Sequence, residues 1–139
     1  MANIDRVKEY FRRIDLGEFP AEIFTANFEF FFPKFGVGRG VAEFYELAGG
    51  MAAAEMHVQH HHDRFTFIET GDQIVVEGTT YGTERNGAWT GGETPGGRFC
   101  STFDFSKDGL ISRMYVYLDP DYAGVDTPRF RWQRQQPRW

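Results

Sequence analysis

The second half of the chain alternates in polarity, and nothing else in the sequence limits the fold so tightly. Gln73–Thr83 switches between apolar and polar residues and is rich in Val and Thr; Arg98–Phe105 and Leu110–Leu118 do the same. A period of two sustained this long requires extended strands with one buried face. The last two runs are separated only by "SKDG", and a connection that short permits only an antiparallel neighbour. Before them, Glu55–Glu69 reads as one long extended segment closed by the turn "ETGD". "ERNGAWTGGETPGG" reads as a long loop or as a hairpin arm with an Asn-Gly turn.

The first third has a different period. Ile4, Val7, Tyr10, Phe11 and Ile14 recur at helical spacing from Ala2 to Leu16, and Gly17 stops the helix. "FPAEIFTANF" reads as a second, short helix with Pro20 in its first turn, and "FEFFFP" as a strand halted by Pro33. "KFGVGRG" reads as a loop and "GVAEFYELAGGM" as a third helix ended by Gly49-Gly50. Three N-terminal helices followed by a run of strands make an α+β layout, with the helices packed in a curved, mostly antiparallel sheet. Such a sheet wrapped round a helix is a cone-shaped barrel, and its mouth is the natural place for a ligand. The domain is expected over residues 1–125. Residues 126–139, "DTPRFRWQRQQPRW", form a basic aromatic tail on an acidic protein. Phe130, Trp132 and Trp139 are costly to leave in water, and Arg129, Arg131, Arg134 and Arg138 have an acidic body to meet, so the tail is expected to dock.

Fifteen phenylalanines in 139 residues suit a thick core or the lining of an apolar cavity. A net charge of −5 argues against a duplex nucleic-acid partner, which is bound by neutralising phosphates. No stretch approaches the roughly 20 apolar residues of a membrane span, and the charged, helical N-terminus has no signal-peptide core. The single Cys100 has no internal partner and points weakly to a reducing compartment. The expectation is a soluble cytoplasmic protein.

All four histidines fall in "MHVQHHHDRF", Met56–Phe65. On a regular strand His60 and His62 share one face, and His57 and His61 share the other. Three uses are open. His-x-His binds zinc when a third ligand is near, and Glu77 or Glu84 is the available donor; with no second cluster, no metal and no cofactor are expected. A histidine facing the cavity is an acid–base group, with His60 or His62 the best candidate. Otherwise the cluster belongs to a polar outer face at a subunit interface. Tyr10 and Ser101 are the other polar candidates, Ser101 sharing a face with Phe99 and Phe103. Met114 and Leu118 face the cone if Tyr115 and Tyr117 face outward. Two outward tyrosines in a row mark a surface for a second copy of the chain, so a homodimer is expected.

"YFRRIDLGEF", "FFFPKFGVGRGVAEFY" and "GGETPGGRFCSTFDFSKDGLISRMYVYLDP", with the histidine strand between them, resemble the nuclear transport factor two-like superfamily in its SnoaL-like and ketosteroid-isomerase-like branch. The resemblance runs from Ile4 to Asp119. It implies the cone fold and a cofactor-independent proton transfer, of the isomerase or cyclase kind, on a small apolar ketone-bearing or polycyclic molecule. In the isomerases a base, a helix tyrosine and a strand carboxylic acid act together. Their positions fall on Phe32, Tyr10 and Ser101. With Phe32 at the base position, an ordinary 5-ene steroid ketone is expected to be a poor substrate. The cyclases' aspartate also falls on Ser101, and their histidine falls near Tyr81 or Glu84. The implied catalytic set is His60, His62, Tyr10 and Ser101, and the substrate wall is Phe32, Tyr81, Phe99, Phe103, Met114 and Leu118. The alternative is a carrier or assembly domain without catalysis, its cone filled by Phe side chains.

Overall fold

The computed structural model describes residues 1–130 and 136–139. Two α-helices, α1 (Asn3–Asp15) and α2 (Gly40–Ala53), pack in a curved sheet of eight strands. The strands are β1 (Phe24–Phe32), β2 (Gly36–Arg39), β3 (His57–His60), β4 (Thr66–Thr70), β5 (Gln73–Glu84), β6 (Gly87–Thr90), β7 (Arg98–Phe105) and β8 (Ile111–Leu118). The order is β2-β1-β8-β7-β5-β3, with β4 and β6 also on β5. Every pairing is antiparallel except β1 with β8. The sheet is curved but not closed.

Curvature comes from β5. Its first half lies between β4 and β7, and its second half lies between β3 and β6. The changeover falls at Gly78–Thr80. A side chain at Gly78 would press on the rings of Phe65 and Phe99, which close the bend from inside.

The expected second helix is one 3-10 turn, Ala21–Ile23, and the chain from Phe24 is already strand. Phe24 and Phe28 are both buried, and their four-residue spacing imitates a helix face. A bulge produces it: Phe24 pairs with Ile111 and Glu29 with Arg113, so six residues of β1 face three of β8. The expected loop after Pro33 contains β2, which folds back onto β1. Gly38 is required there, because a Cβ would lie 2.3 Å from the Phe30 ring. The third expected helix, α2, runs through Gly49-Gly50 to Ala53. The long segment 55–69 is two strands split by a 3-10 turn at His62–Arg64. "GAWT" is a hairpin arm on β5.

The core joins Val7, Tyr10 and Phe11 of α1 to the phenylalanines of β1 and β7, with Ile74, Val76 and Ile111 beneath. At the other end, buried Trp89 stacks on buried Tyr122 with ring centres 4.4 Å apart. Its indole N–H donates to Thr80 Oγ1 at 3.0 Å, and that hydroxyl donates to the Gly97 carbonyl at 3.1 Å. Of the tail, Arg98 donates to the Trp139 carbonyl at 2.9 Å, while Phe130 stays exposed. Arg131, Trp132 and Arg134 lie outside the described residues. Among the described residues no helix is long and apolar enough to cross a membrane.

Candidate functional site

A cavity of about 330 Å³ opens between α1, α2 and the inner face of the sheet. That is near the lower end of the range for small-molecule sites. Aromatic and aliphatic side chains make most of its wall, among them Phe30, Phe32, Phe44, Leu47, Phe99 and Met114. Its polar side chains are few: Tyr10, Asp15, Tyr45, His57, His60, Thr80 and Ser101. Among the described residues no Lys or Arg lines it.

Asp15 ends α1. The helix terminates in a Schellman motif: Glu18 N–H bonds the Arg13 carbonyl, Gly17 N–H bonds that of Ile14, and Gly17 sits at φ +82°. An acid here opposes the helix dipole, which favours cations in the last turn. The compensation comes from 45 residues away. His60 Nδ1 lies 2.6 Å from Asp15 Oδ1, and the His60 backbone N–H donates to Oδ2 at 2.9 Å. His62 Nε2 lies 2.7 Å from the same Oδ2. Gln59 donates to the Asp15 carbonyl at 3.0 Å. An ionised carboxylate only accepts, so both contacting ring nitrogens carry hydrogens. This places a hydrogen on His60 Nδ1, and in the neutral form of the ring Nε2 then carries the lone pair. The His60 ring is clamped edge-on by Phe11 and Phe99, at 4.8 and 5.2 Å.

Burial raises the Asp15 pKa, but the ring, charge and backbone N–H of His60, with the His62 ring, outweigh it and hold the carboxyl below its ordinary 3.8. The folded value is the lower one, so the stability Asp15 contributes is present above the unfolded value. It is lost as pH falls through the folded value. Asp15→Asn is therefore expected to flatten the fall in melting temperature below about pH 4, measured as melting temperature against pH. Burial, with the Asp15 charge adding to it, pushes the Tyr10 phenol well above its usual range. Tyr10 is thus a neutral donor at every physiological pH.

Tyr10 and Ser101 both line the cavity, and neither hydroxyl has a hydrogen-bond partner among the described residues. Phe32, Phe99, Met114 and Leu118 also line it. Two of the expected wall residues stand elsewhere. Phe103 is fully buried in the core, edge-on to Tyr10 at 5.8 Å. Tyr81 follows the inward Thr80 on β5, so alternation turns it outward; it is 41% exposed and packs on His61 at 4.7 Å. His62 lies outside the cavity. It meets Asp15 because the chain leaves the sheet after His60 and turns back, not because the two histidines share a strand face. Among the described residues no three metal-binding side chains are arranged to hold an ion. Asp15 was missed from the sequence. Its one local signal is an acid in the last turn of a helix, where the dipole disfavours it.

The family model of the SnoaL-like domain matches residues 5–114. No curated protein matches the chain. Several solved structures share its fold. A putative polyketide cyclase from Pseudomonas putida KT2440 is 15% identical, with 88% of this chain and 95% of that one covered and a TM-score of 0.71. An NTF2-like protein of unknown function from Burkholderia pseudomallei K96243 is 22% identical, with 84% and 90% covered and a TM-score of 0.68. SalBIII, an epoxide hydrolase/cyclase-like enzyme in pyran ring formation in the polyether salinomycin, is 20% identical, with 86% and 92% covered and a TM-score of 0.60. At these identities the likeness is one of fold.

Proposed function

The chain belongs to the SnoaL-like domain family, and from that premise we propose that it is a cofactor-independent enzyme moving a proton on an uncharged, largely apolar carbonyl compound. One observation carries the reading: a histidine of the apolar cavity is held by a carboxylate at 2.6 Å through Nδ1, which leaves Nε2 to act as base. In the step proposed, the C–H bond beside the carbonyl breaks and its proton goes to His60 Nε2. The electron pair moves onto the carbonyl oxygen. Tyr10 and Ser101 donate to that oxygen, and Asp15 stabilises the imidazolium. The proton then returns to another carbon, or to the product of a ring closure. Two neutral hydroxyls hold an enolate less strongly than a tyrosine with a carboxylic acid, so the chemistry is slow for this fold. An anionic substrate would meet Asp15 and, among the described residues, no cation, which favours ketone-bearing or polycyclic neutral molecules.

The test is exchange of the α-hydrogens of 2-tetralone for deuterium, followed by proton NMR. The protein is expected to accelerate exchange over buffer. Binding of 2-tetralone without acceleration would favour the alternative, a ligand carrier. The assembly reading needs a filled cone, and the open volume of about 330 Å³ argues against it.

We propose further that two copies pair through the outer face of the sheet. Phe31, Tyr115 and Tyr117 pack together there at 5.5 and 5.9 Å, and Tyr117 is 50% exposed. An exposed aromatic row without a covering helix is typical of partner surfaces. Light scattering is expected to give a dimer at micromolar concentration, and Tyr117→Glu a monomer. A monomeric unaltered protein would sink the idea.

A further inference from the structure

We propose that His62 is a positioning residue, which holds the Asp15 carboxylate from outside the cavity so that its other oxygen aims at His60. The proposal rests on the reading of His60 as the base. Asp15 Oδ2 accepts from the His62 ring and from the His60 backbone N–H, which leaves Oδ1 to His60 Nδ1 alone. A carboxylate rotates readily about its Cβ–Cγ bond, where the torsional wells are broad. Fixing Oδ2 on two sides therefore fixes the direction of Oδ1. The His62 ring also shields the carboxylate, since Asp15 is 9% exposed and His62 is 43% exposed. Keeping water off Asp15 strengthens its attraction for the imidazolium that forms on His60.

The backbone is shaped for this contact. Pairing with β5 ends at His60 and resumes at Thr66, and the intervening 3-10 turn folds His62 back onto Asp15. The turn is anchored on both sides. The His61 backbone N–H donates to the Thr79 carbonyl at 3.0 Å, and the His61 ring contacts Thr79 Oγ1 at 2.7 Å. The His62 ring packs on Phe65 at 5.3 Å. A single hydrogen bond from a half-exposed side chain adds only about 1 kcal/mol to stability, whereas a reacting geometry is sensitive to small displacements. A positioning role and a merely structural one therefore separate experimentally.

The experiment uses the full chain, 2-tetralone exchange and ¹⁵N-edited NMR of the histidine rings. His62→Ala is expected to lower kcat about tenfold or more, with KM and melting temperature little changed. His62→Gln, whose side-chain N–H reaches the same oxygen, is expected to recover most of the rate. The hydrogen-bonded Nδ1–H signal of His60 should shift or broaden in His62→Ala and return in His62→Gln. Unchanged kcat and an unchanged His60 signal in His62→Ala would overturn the inference. So would equal losses in both variants with a lowered melting temperature, which mark a structural role. If His60→Ala leaves exchange intact, it is the assignment of the base that fails. If the unaltered protein exchanges nothing, the ring signals still decide whether His62 positions the pair.

Discussion

Replacing His60 with alanine is expected to slow exchange of 2-tetralone by roughly 10²–10⁴-fold, the span that a positioned base contributes. The argument is local. His60 is the cavity side chain whose ring is fixed on one nitrogen and, among the described residues, unpartnered on the other. Alanine leaves the apolar wall and the two free hydroxyls in place, so binding of the probe should change far less than turnover. Asp15→Asn is expected to cost less than His60→Ala, because the amide oxygen can still accept from Nδ1 while the stabilising charge is gone. Rates measured with saturating probe, beside binding measured separately, check both. A rate that persists in His60→Ala places the base elsewhere in the cavity.

Trp89→Ala is expected to lower stability by about 3–5 kcal/mol, the range for deleting a large buried aromatic. In a chain of this size that is a fall in melting temperature of roughly 10–20 °C. Trp89 is 2% exposed, stacks on Tyr122 and bonds Thr80 through its indole nitrogen. Its loss empties the joint between the β5–β6 hairpin and the segment after β8, and leaves the Thr80 hydroxyl without its donor. Trp89 is not part of the cavity wall, so the folded fraction should keep its exchange rate. The exchange rates of the folded fractions should therefore separate the two alanine variants.

The strands of the second half were legible because each has one buried face, and alternation records that directly. Arg98–Phe105 has the same ends in sequence and structure. Phe24–Phe28 misled because a bulge places two phenylalanines inward at a helical interval. The break after His60 was invisible because no Gly or Pro marks it; the carbonyl and hydroxyl of Thr79 hold the turn. Tyr10, Ser101 and His60 were found as residues that face the cone. Asp15 was not, since its partners lie about 45 residues away and a periodicity sees only neighbours. Tyr81 and Phe103 were misplaced for related reasons. One turned on a register that sequence leaves open by one residue, and the other on how deep an inward residue sits.

The parallel contact of β1 with β8 orders events during synthesis. Tyr115 on β8 donates its hydroxyl to Glu29 on β1, 86 residues earlier. The phenylalanine-rich β1 leaves the ribosome long before its central neighbour does. At about 5–20 residues per second the wait is roughly 4–17 s. During it only β2 can pair with the strand, and its other edge stays open. Completion of the sheet is thus a late, non-local step, and the nascent chain passes through a stage in which "FEFFF" is a ready substrate for a holding chaperone or for self-association.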